Sequence, residues 1–135
     1  MALHIRDFRQ NDAAGLSDLC ETGCRIGVLP AQDAKARILC GLREDSLTAA
    51  IWLSLEGDTG IIPAIITART PTWQSDAAEL IAEASLWFTS RAAARIELRA
   101  IQEDADLQSA LLEMNFQADE CSGTFHRLVP ARSAA

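Results

Sequence analysis

The chain has 135 residues, of which 49% are hydrophobic, and it carries a formal net charge of −7. That length suits one compact domain, and the hydrophobic content excludes an intrinsically disordered chain. The acidic charge, the single lysine (Lys35) and the absence of a basic run argue against nucleic acid as a partner, because phosphate contacts need clustered Lys and Arg.

The N-terminal segment alternates polar and apolar residues over Leu3–Phe8, which predicts a strand. It lacks the charged-then-apolar pattern of a secretion signal. No apolar run in the chain approaches the roughly 18–20 residues of a membrane span. We therefore expect a cytoplasmic protein without a membrane partner, whose cysteines are reduced thiols.

Two helices are predicted to follow. Asn11 or Asp12 can cap the first, and Gly23 can end it. Pro30 indicates a short second helix that runs through about Arg37. Cys20 and Cys24 are four residues apart, which would place both on one helical face. Two thiols are not enough ligands for a metal site, so we expect no metal.

Three strands are predicted next, over Ile38–Arg43, Leu47–Leu55 and Ile61–Thr67. Pro63 lies inside the third run. Because proline has no N–H to donate to a strand ladder, we expect a bulge or a strand end there.

The second half of the chain alternates helices and strands. Asp76–Arg91 is predicted to be a helix, with an apolar stripe formed by Ala77, Leu80, Ile81, Ala84 and Phe88. Asp76 and Glu79 resemble a capping box at its start. Further elements are predicted as a strand at Arg95–Ile101, a helix at Asp104–Met114 and a strand at Gly123–Val129.

This order predicts a single domain over residues 1–130, with a disordered tail at 131–135. The predicted fold class is α/β (α+β), with a mixed, mainly antiparallel central sheet of six to seven strands flanked by about four helices. The layout resembles the GNAT superfamily of acyl-CoA-dependent N-acetyltransferases over almost the whole chain. The resemblance implies acetyl-CoA as acyl donor and an amine as acceptor, and it allows a homodimer.

The resemblance implies a cofactor loop before the predicted helix at 76–91. The family has the pattern Gln/Arg-x-x-Gly-x-Gly/Ala there, followed by a Leu-Leu-like pair. Placing Leu80 and Ile81 at that pair assigns the loop to Thr72, Trp73, Gln74, Ser75, Asp76 and Ala77. Backbone N–H groups at such a helix start can cradle a pyrophosphate. The chain departs from the pattern, since Thr72 and Ser75 stand at the first two motif positions.

Asp76 and Glu79 are expected to weaken that loop. As capping residues they would satisfy the same N–H groups that the phosphates need. Carboxylates and phosphates would also repel each other at one helix start.

Other positions of the family pattern are matched in part. The resemblance assigns the backbone of Ile66, Thr67 and Ala68 to the acyl donor, with one N–H polarising the thioester carbonyl. Asp104 stands where the family often has an Asn that touches the cofactor. Phe116 matches a Gly-Phe pair, but the family's proton-donating Tyr is replaced by Leu111, and the chain contains no Tyr.

The catalytic base is not assigned by the pattern. Glu56 and Asp58 are candidates, although turn residues exposed to solvent are the simpler interpretation. Cys121 and His126 do not form a diagnostic nucleophile pair.

Two functional hypotheses follow. The first is a GNAT-like N-acyltransferase that moves an acetyl group from acyl-CoA to an amine of a small molecule or peptide. The second is a degenerate module of the same fold that binds or assembles without turnover. The complete layout favours the first, while the altered loop and the missing Tyr favour the second.

Overall fold

The computed structural model describes residues 3–27, 36–98, 109, 112, 113, 116–119 and 124–128. The helices are α1 (Ala13–Thr22), which follows a short 3-10 helix (Gln10–Asp12), and α2 (Trp73–Ser90). The strands are β1 (His4–Asp7), β2 (Cys24–Gly27), β3 (Arg37–Arg43), β4 (Ser46–Glu56), β5 (Thr59–Ile62), β6 (Ala64–Thr67), β7 (Arg95–Leu98), β8 (Gln117–Asp119) and β9 (Thr124–Leu128).

The strands form one mixed sheet. Seven of them follow one another across it in the order β1-β3-β4-β5-β7-β9-β8. All neighbours on this path are antiparallel except β5 and β7, which are parallel. β6 follows β5 in the chain and is also antiparallel to β4. The opposite edge of β6 pairs with β2. The prediction of a mainly antiparallel sheet is confirmed, but the described residues form nine strands instead of six to seven and fewer than the predicted four helices.

α1 and α2 cover opposite faces of the sheet. In β4, Ala49, Ile51 and Leu53 belong to a core cluster with α2, whereas Ala50 and Trp52 belong to a second cluster with Leu19 of α1. This alternation follows from the two-residue period of side chains along a strand. The stripe predicted for α2 is buried along its whole length. None of the described helices is long and apolar enough to cross a membrane.

Most element positions agree with the sequence predictions. The first helix ends at Gly23 as expected, and the strands predicted to begin at 38 and 47 are β3 and β4. Most of the helix predicted over 30–37 lies outside the described residues, although Arg37 itself begins β3. In the helix predicted over 104–114, three residues are described, and all three are helical.

Pro63 divides the third predicted run into β5 and β6. The division has a topological consequence, because the two halves take different partners on the edge away from β4. β5 pairs there with β7, and β6 pairs there with β2. The expectation of a strand end at Pro63 is therefore confirmed.

The cysteines are not arranged as the sequence suggested. α1 ends at Thr22, so Cys20 lies in the helix and Cys24 begins β2, and the prediction of one shared helical face is wrong. Cys40 is fully buried in β3. Burial raises the pKa of the Cys40 thiol to about 11.

The turn between β3 and β4 consists of Glu44 and Asp45. Both have positive φ, at 51° and 66°. A two-residue hairpin turn with both residues in this region matches the twist of the flanking strands, but it favours Asn and Gly over Glu and Asp.

Candidate functional site

The segment between β6 and α2 contains the predicted cofactor loop. Ala68 leaves the sheet, Thr70 N–H donates to the Ala68 carbonyl at 2.9 Å, and Trp73 N–H donates to the Thr70 carbonyl at 3.3 Å. These two hydrogen bonds form a tight connection between the end of β6 and the first turn of α2. The end of one strand and the start of one helix are thereby brought together.

The start of α2 differs from the predicted capping box. Thr72 is the N-cap residue, and its side chain makes no capping hydrogen bond. Asp76 is inside the helix, where its own N–H donates to the Thr72 carbonyl at 3.1 Å. Among the described residues, no backbone acceptor outside the helix receives the N–H of Gln74 or Ser75. The prediction that Asp76 caps this helix is therefore wrong.

The carboxylate of Asp76 is used elsewhere. It is 2% exposed and forms an ion pair with the guanidinium of Arg43, at the end of β3. Hydrogen bonding to Asp76 raises the pKa of Arg43, and the charge of Glu79 acts in the same direction. The predicted repulsion between Asp76 and a phosphate is correspondingly reduced, because a cation already neutralises this carboxylate.

The backbone groups of β6 point alternately to β4 and to the opposite edge of the strand. Ala68 N–H donates to the Thr48 carbonyl at 2.7 Å, which places this N–H on the β4 side. Successive residues of a strand direct their backbone groups to opposite edges. Thr67 therefore presents its N–H and carbonyl to the edge away from β4. Of the predicted trio at 66–68, only Thr67 does so.

Thr67 also has a buried side chain. The residue is 0% exposed, and its hydroxyl has no hydrogen-bond partner among the described residues. Its register partner on β4 is Ala49, which belongs to the cluster with α2, so the hydroxyl lies on the α2 face. An unpaired buried hydroxyl costs about 1–3 kcal/mol, which a ligand hydrogen bond would recover.

The edge of β6 that Thr67 faces is covered by β2. The register pairs Cys24 with Thr67, Arg25 with Ile66, Ile26 with Ile65 and Gly27 with Ala64. This strand was not predicted, because a four-residue segment after a helix carries too few residues for a periodicity signal. The sequence did mark its start, since Gly23 ends α1.

The junction of α1 and β2 contacts the end of β6 at two points, through a close approach of two backbones and through one hydrogen bond. A Cβ added at Gly23 would lie 2.5 Å from the Thr67 carbonyl oxygen and 2.7 Å from that of Leu19. Glycine is thus required for close approach of two backbones at this point. From the loop after β6, Arg69 Nε donates to the Thr22 carbonyl at 3.2 Å.

The remaining predicted residues are distributed around this site. Trp73 is half-buried and packs against the core cluster of α2. Ala77 is buried, and Phe116 is 1% exposed within the same cluster. Asp104 and Leu111 lie outside the described residues.

Glu56 and Asp58 are exposed at the turn that precedes β5. The backbone carbonyl of Asp58 accepts a hydrogen bond from the N–H of Ala94 at 2.7 Å, which links the turn before β5 to the connection between α2 and β7. Nine extended residues separate Asp58 from Thr67, or about 30 Å. Neither carboxylate is near the start of α2, which excludes them as bases for chemistry there.

Comparison with solved structures identifies the architecture. The chain superposes on the ribosomal-protein-S18-alanine N-acetyltransferase of Escherichia coli with a TM-score of 0.77, at 9% sequence identity over 98% of this chain and 97% of that one. The protein has the GNAT fold. No family model and no curated protein matches the sequence.

Two further similar GNAT structures contain coenzyme A. The PaiA N-acetyltransferase of Thermoplasma acidophilum, in complex with coenzyme A, has a TM-score of 0.75 at 10% identity, covering 95% of this chain and 99% of that one. The Bacillus subtilis acetyltransferase, also in complex with coenzyme A, has a TM-score of 0.70 at 16% identity, covering 87% and 78%. At these identities the likeness establishes the fold alone.

The residues present fit an acyl-CoA at one end of the site only. The first turn of α2 has uncapped N–H groups at Gln74 and Ser75, and Thr67 has an orphaned hydroxyl. Both features suit a ligand with phosphate and amide groups. The outer edge of β6, in contrast, is filled by β2.

Proposed function

We propose that this protein is an N-acyltransferase that transfers an acetyl group from acetyl-CoA to an amine of a small molecule or peptide. The observation that carries the proposal is the first turn of α2, which the N-cap residue Thr72 leaves without a side-chain cap and beside which Arg43 neutralises the carboxylate of Asp76. An uncapped helix start is an anion site, since its N–H groups and the helix dipole both favour negative charge.

In this proposal the cofactor-binding residues are those of the loop and the end of β6. Backbone N–H groups in the segment Thr72–Ala77 bind the pyrophosphate. Ile66, Thr67 and Ala68 line the acyl arm, with the Thr67 N–H directed at the thioester carbonyl. Asp104 is retained from the family resemblance as a further cofactor contact.

Acetyl-CoA would supply a thioester, whose C–S bond breaks as the amine nitrogen bonds to the acetyl carbon. The chain's task is to hold the two reactants together in a reactive geometry, while solvent accepts the proton that the amine loses. The departing thiolate also takes up a proton. With no Tyr in the sequence, we assign that proton to solvent.

Glu97 is excluded as the proton acceptor for the same reason as Asp58. It pairs with Ile61 of β5, six extended residues or about 20 Å from Thr67. Its neighbours Ile96 and Leu98 belong to the core of α2, so Glu97 also lies on the opposite face of the sheet.

The direct test is calorimetry with acetyl-CoA, followed by an assay of coenzyme A release with a small primary amine and with a peptide. Binding and amine-dependent release are expected. If millimolar acetyl-CoA neither binds nor raises the melting temperature, the enzyme proposal fails.

A variant sharpens this test. Arg43→Gln should weaken acetyl-CoA binding by about tenfold or more, since Asp76 then remains as an unpaired anion beside the phosphate site. Arg37→Gln is the matched control, because Arg37 also pairs with an aspartate, Asp7, but on an exposed surface. Equal affinities of the two variants would contradict the role given to Arg43.

A degenerate binding module is the second candidate, and one observation favours it. β2 pairs with all four residues of β6 on the edge that the acyl arm would need. Acetyl-CoA binding without release of coenzyme A to any amine would support this alternative.

A further inference from the structure

We infer that β2 is a removable strand that closes the acyl-donor edge of β6, so that acyl-CoA binds only when β2 leaves this edge. The inference rests on the proposed function and concerns the regulation of the same site. It is carried by the pairing of Cys24–Gly27 with Ala64–Thr67 and by the way in which that pairing is fastened.

β2 pairs with the same backbone groups of β6 that the proposed ligand would bind. Thr67 and Ile65 direct their N–H and carbonyl groups away from β4, and β2 is paired along this edge. An acyl-CoA whose phosphates lie at the first turn of α2 has an amide-bearing arm that would run along β6 like an added strand. Strands lie about 4.7–4.9 Å apart, so one edge accommodates one such neighbour.

The architecture lets β2 leave without disturbing the rest of the sheet. β2 is four residues long, and β6 is its only strand partner among the described residues. Pro63 separates β6 from β5, so the parallel pairing of β5 with β7 does not depend on β2. Short segments with few neighbours open at low free-energy cost.

The junction at Gly23 determines how firmly β2 is docked. The Gly23 backbone approaches the Thr67 carbonyl so closely that a Cβ would collide with it, and Arg69 holds the preceding residue, Thr22. A side chain at position 23 is therefore expected to push the start of β2 away from β6. An opened fraction that is small in the native chain lowers the apparent affinity by that fraction.

A reversible crosslink tests the inference directly. Gly27 and Ala64 are register partners. Opposed residues of antiparallel strands have Cα atoms about 4.5–5.5 Å apart, which a disulfide can span. In Gly27→Cys/Ala64→Cys, oxidation should raise the Kd for acetyl-CoA at least tenfold relative to the reduced form of the same protein. Peptide mass spectrometry confirms the 27–64 bond. Equal Kd values in the two forms overturn the inference.

A glycine substitution tests it from the other side. Gly23→Ala should lower the Kd for acetyl-CoA fivefold or more. Gly15→Ala is the matched control, because a Cβ at Gly15 meets Leu47 at an ordinary 3.5 Å, and its Kd should stay within twofold of the native value. If Gly23→Ala does not fold, as judged by circular dichroism, the crosslink decides the question.

Hydrogen exchange gives a readout that does not depend on turnover. Saturating acetyl-CoA should speed exchange at the backbone amides of 24–27 and leave those of β5 slow. Slower exchange of 24–27 on binding overturns the inference. Failure of the native chain to bind millimolar acetyl-CoA overturns the proposed function instead.

Discussion

Asp12 connects the first strand to the first helix through its side chain. Both of its carboxylate oxygens accept hydrogen bonds from Arg6, at 2.6 and 2.8 Å, and one also accepts the N–H of Arg9 at 2.8 Å. Hydrogen bonding to Arg6 lowers the pKa of Asp12 to about 2. The carboxylate is buried, so it depends on these partners.

The lowered pKa of Asp12 predicts an acid-sensitive contribution to stability. A carboxylate with a folded pKa of about 2 and an unfolded value of about 3.9 stabilises the fold fully above about pH 4, and this stabilisation is lost as the pH falls through 2. Asp12→Asn should lower the melting temperature at pH 7 and flatten its decline between pH 4 and 2. Asp18→Asn, an exposed change on α1, should leave both unaffected, and parallel curves for the native chain and Asp12→Asn would contradict this.

The Arg43–Asp76 pair predicts a larger cost. Asp76 is 2% exposed and Arg43 31%, so the pair is intermediate between an exposed and a fully buried one. Removing the charge of Asp76 with Asn should cost between the about 1 kcal/mol of an exposed pair and the about 3–5 kcal/mol of a buried one. Glu83→Gln, at an exposed position of the same helix, is the control. Urea unfolding measures both, and equal midpoints would disprove the prediction.

At the scale of elements, the β3–β4 hairpin carries a local conflict between sequence and geometry. Glu44 and Asp45 both have positive φ. For residues other than glycine this region of backbone space costs of order 1–3 kcal/mol, with Asn and Asp at the lower end. The long pairing of β3 with β4 compensates for it.

The conflict predicts a stabilising substitution. Glu44→Asn/Asp45→Gly should raise the free energy of unfolding by about 0.5–1 kcal/mol, since Asn-Gly is the favoured sequence of such a turn. Asp58→Gly in the next hairpin is the control, because Asp58 has no positive φ and gains nothing from glycine. A melting temperature that rises equally in both variants would argue against strain at 44 and 45.

The elements that the sequence predicted well are those with a sustained period. The stripe from Ala77 to Phe88 spans three turns and identified α2, and the alternation in β4 was equally readable. β2 has four residues and is specified by its partner rather than by its own pattern. The role of Asp76 was missed because α2 begins at Trp73, three residues before the predicted start, which places Asp76 inside the helix, where it pairs with Arg43.

At the scale of the whole molecule, net charge opposes the proposed ligand. The chain carries −7, and acetyl-CoA is also an anion, so the long-range interaction is repulsive. Raising the salt concentration from 10 to 150 mM shortens the screening length from about 30 to about 8 Å. The association rate should therefore rise severalfold over this range, as measured by stopped flow. Glycerol is the control, because it is uncharged and changes the viscosity of the solution without changing the ionic strength. An association rate that falls as salt is added would contradict long-range repulsion.

The layout of the molecule could be predicted from its order of elements, and solved structures confirm it as the GNAT fold. The condition of the site could not. Whether the charge of Asp76 opposes a phosphate at the first turn of α2 depends on Arg43, which is 33 residues away from Asp76 in sequence. Whether the edge of β6 is open depends on a strand more than 35 residues upstream.

Cys40 offers a way to follow the stability of this sheet from within. Its thiol is fully buried in a strand paired on both sides, by β1 and β4, and its pKa is about 11. Only the thiolate reacts readily with alkylating reagents, so the native fold protects Cys40 through both inaccessibility and protonation. The rate at which Cys40 is alkylated at neutral pH therefore measures how often the central sheet opens. The alkylation rate of half-buried Cys20 measures the opening of α1 in the same experiment.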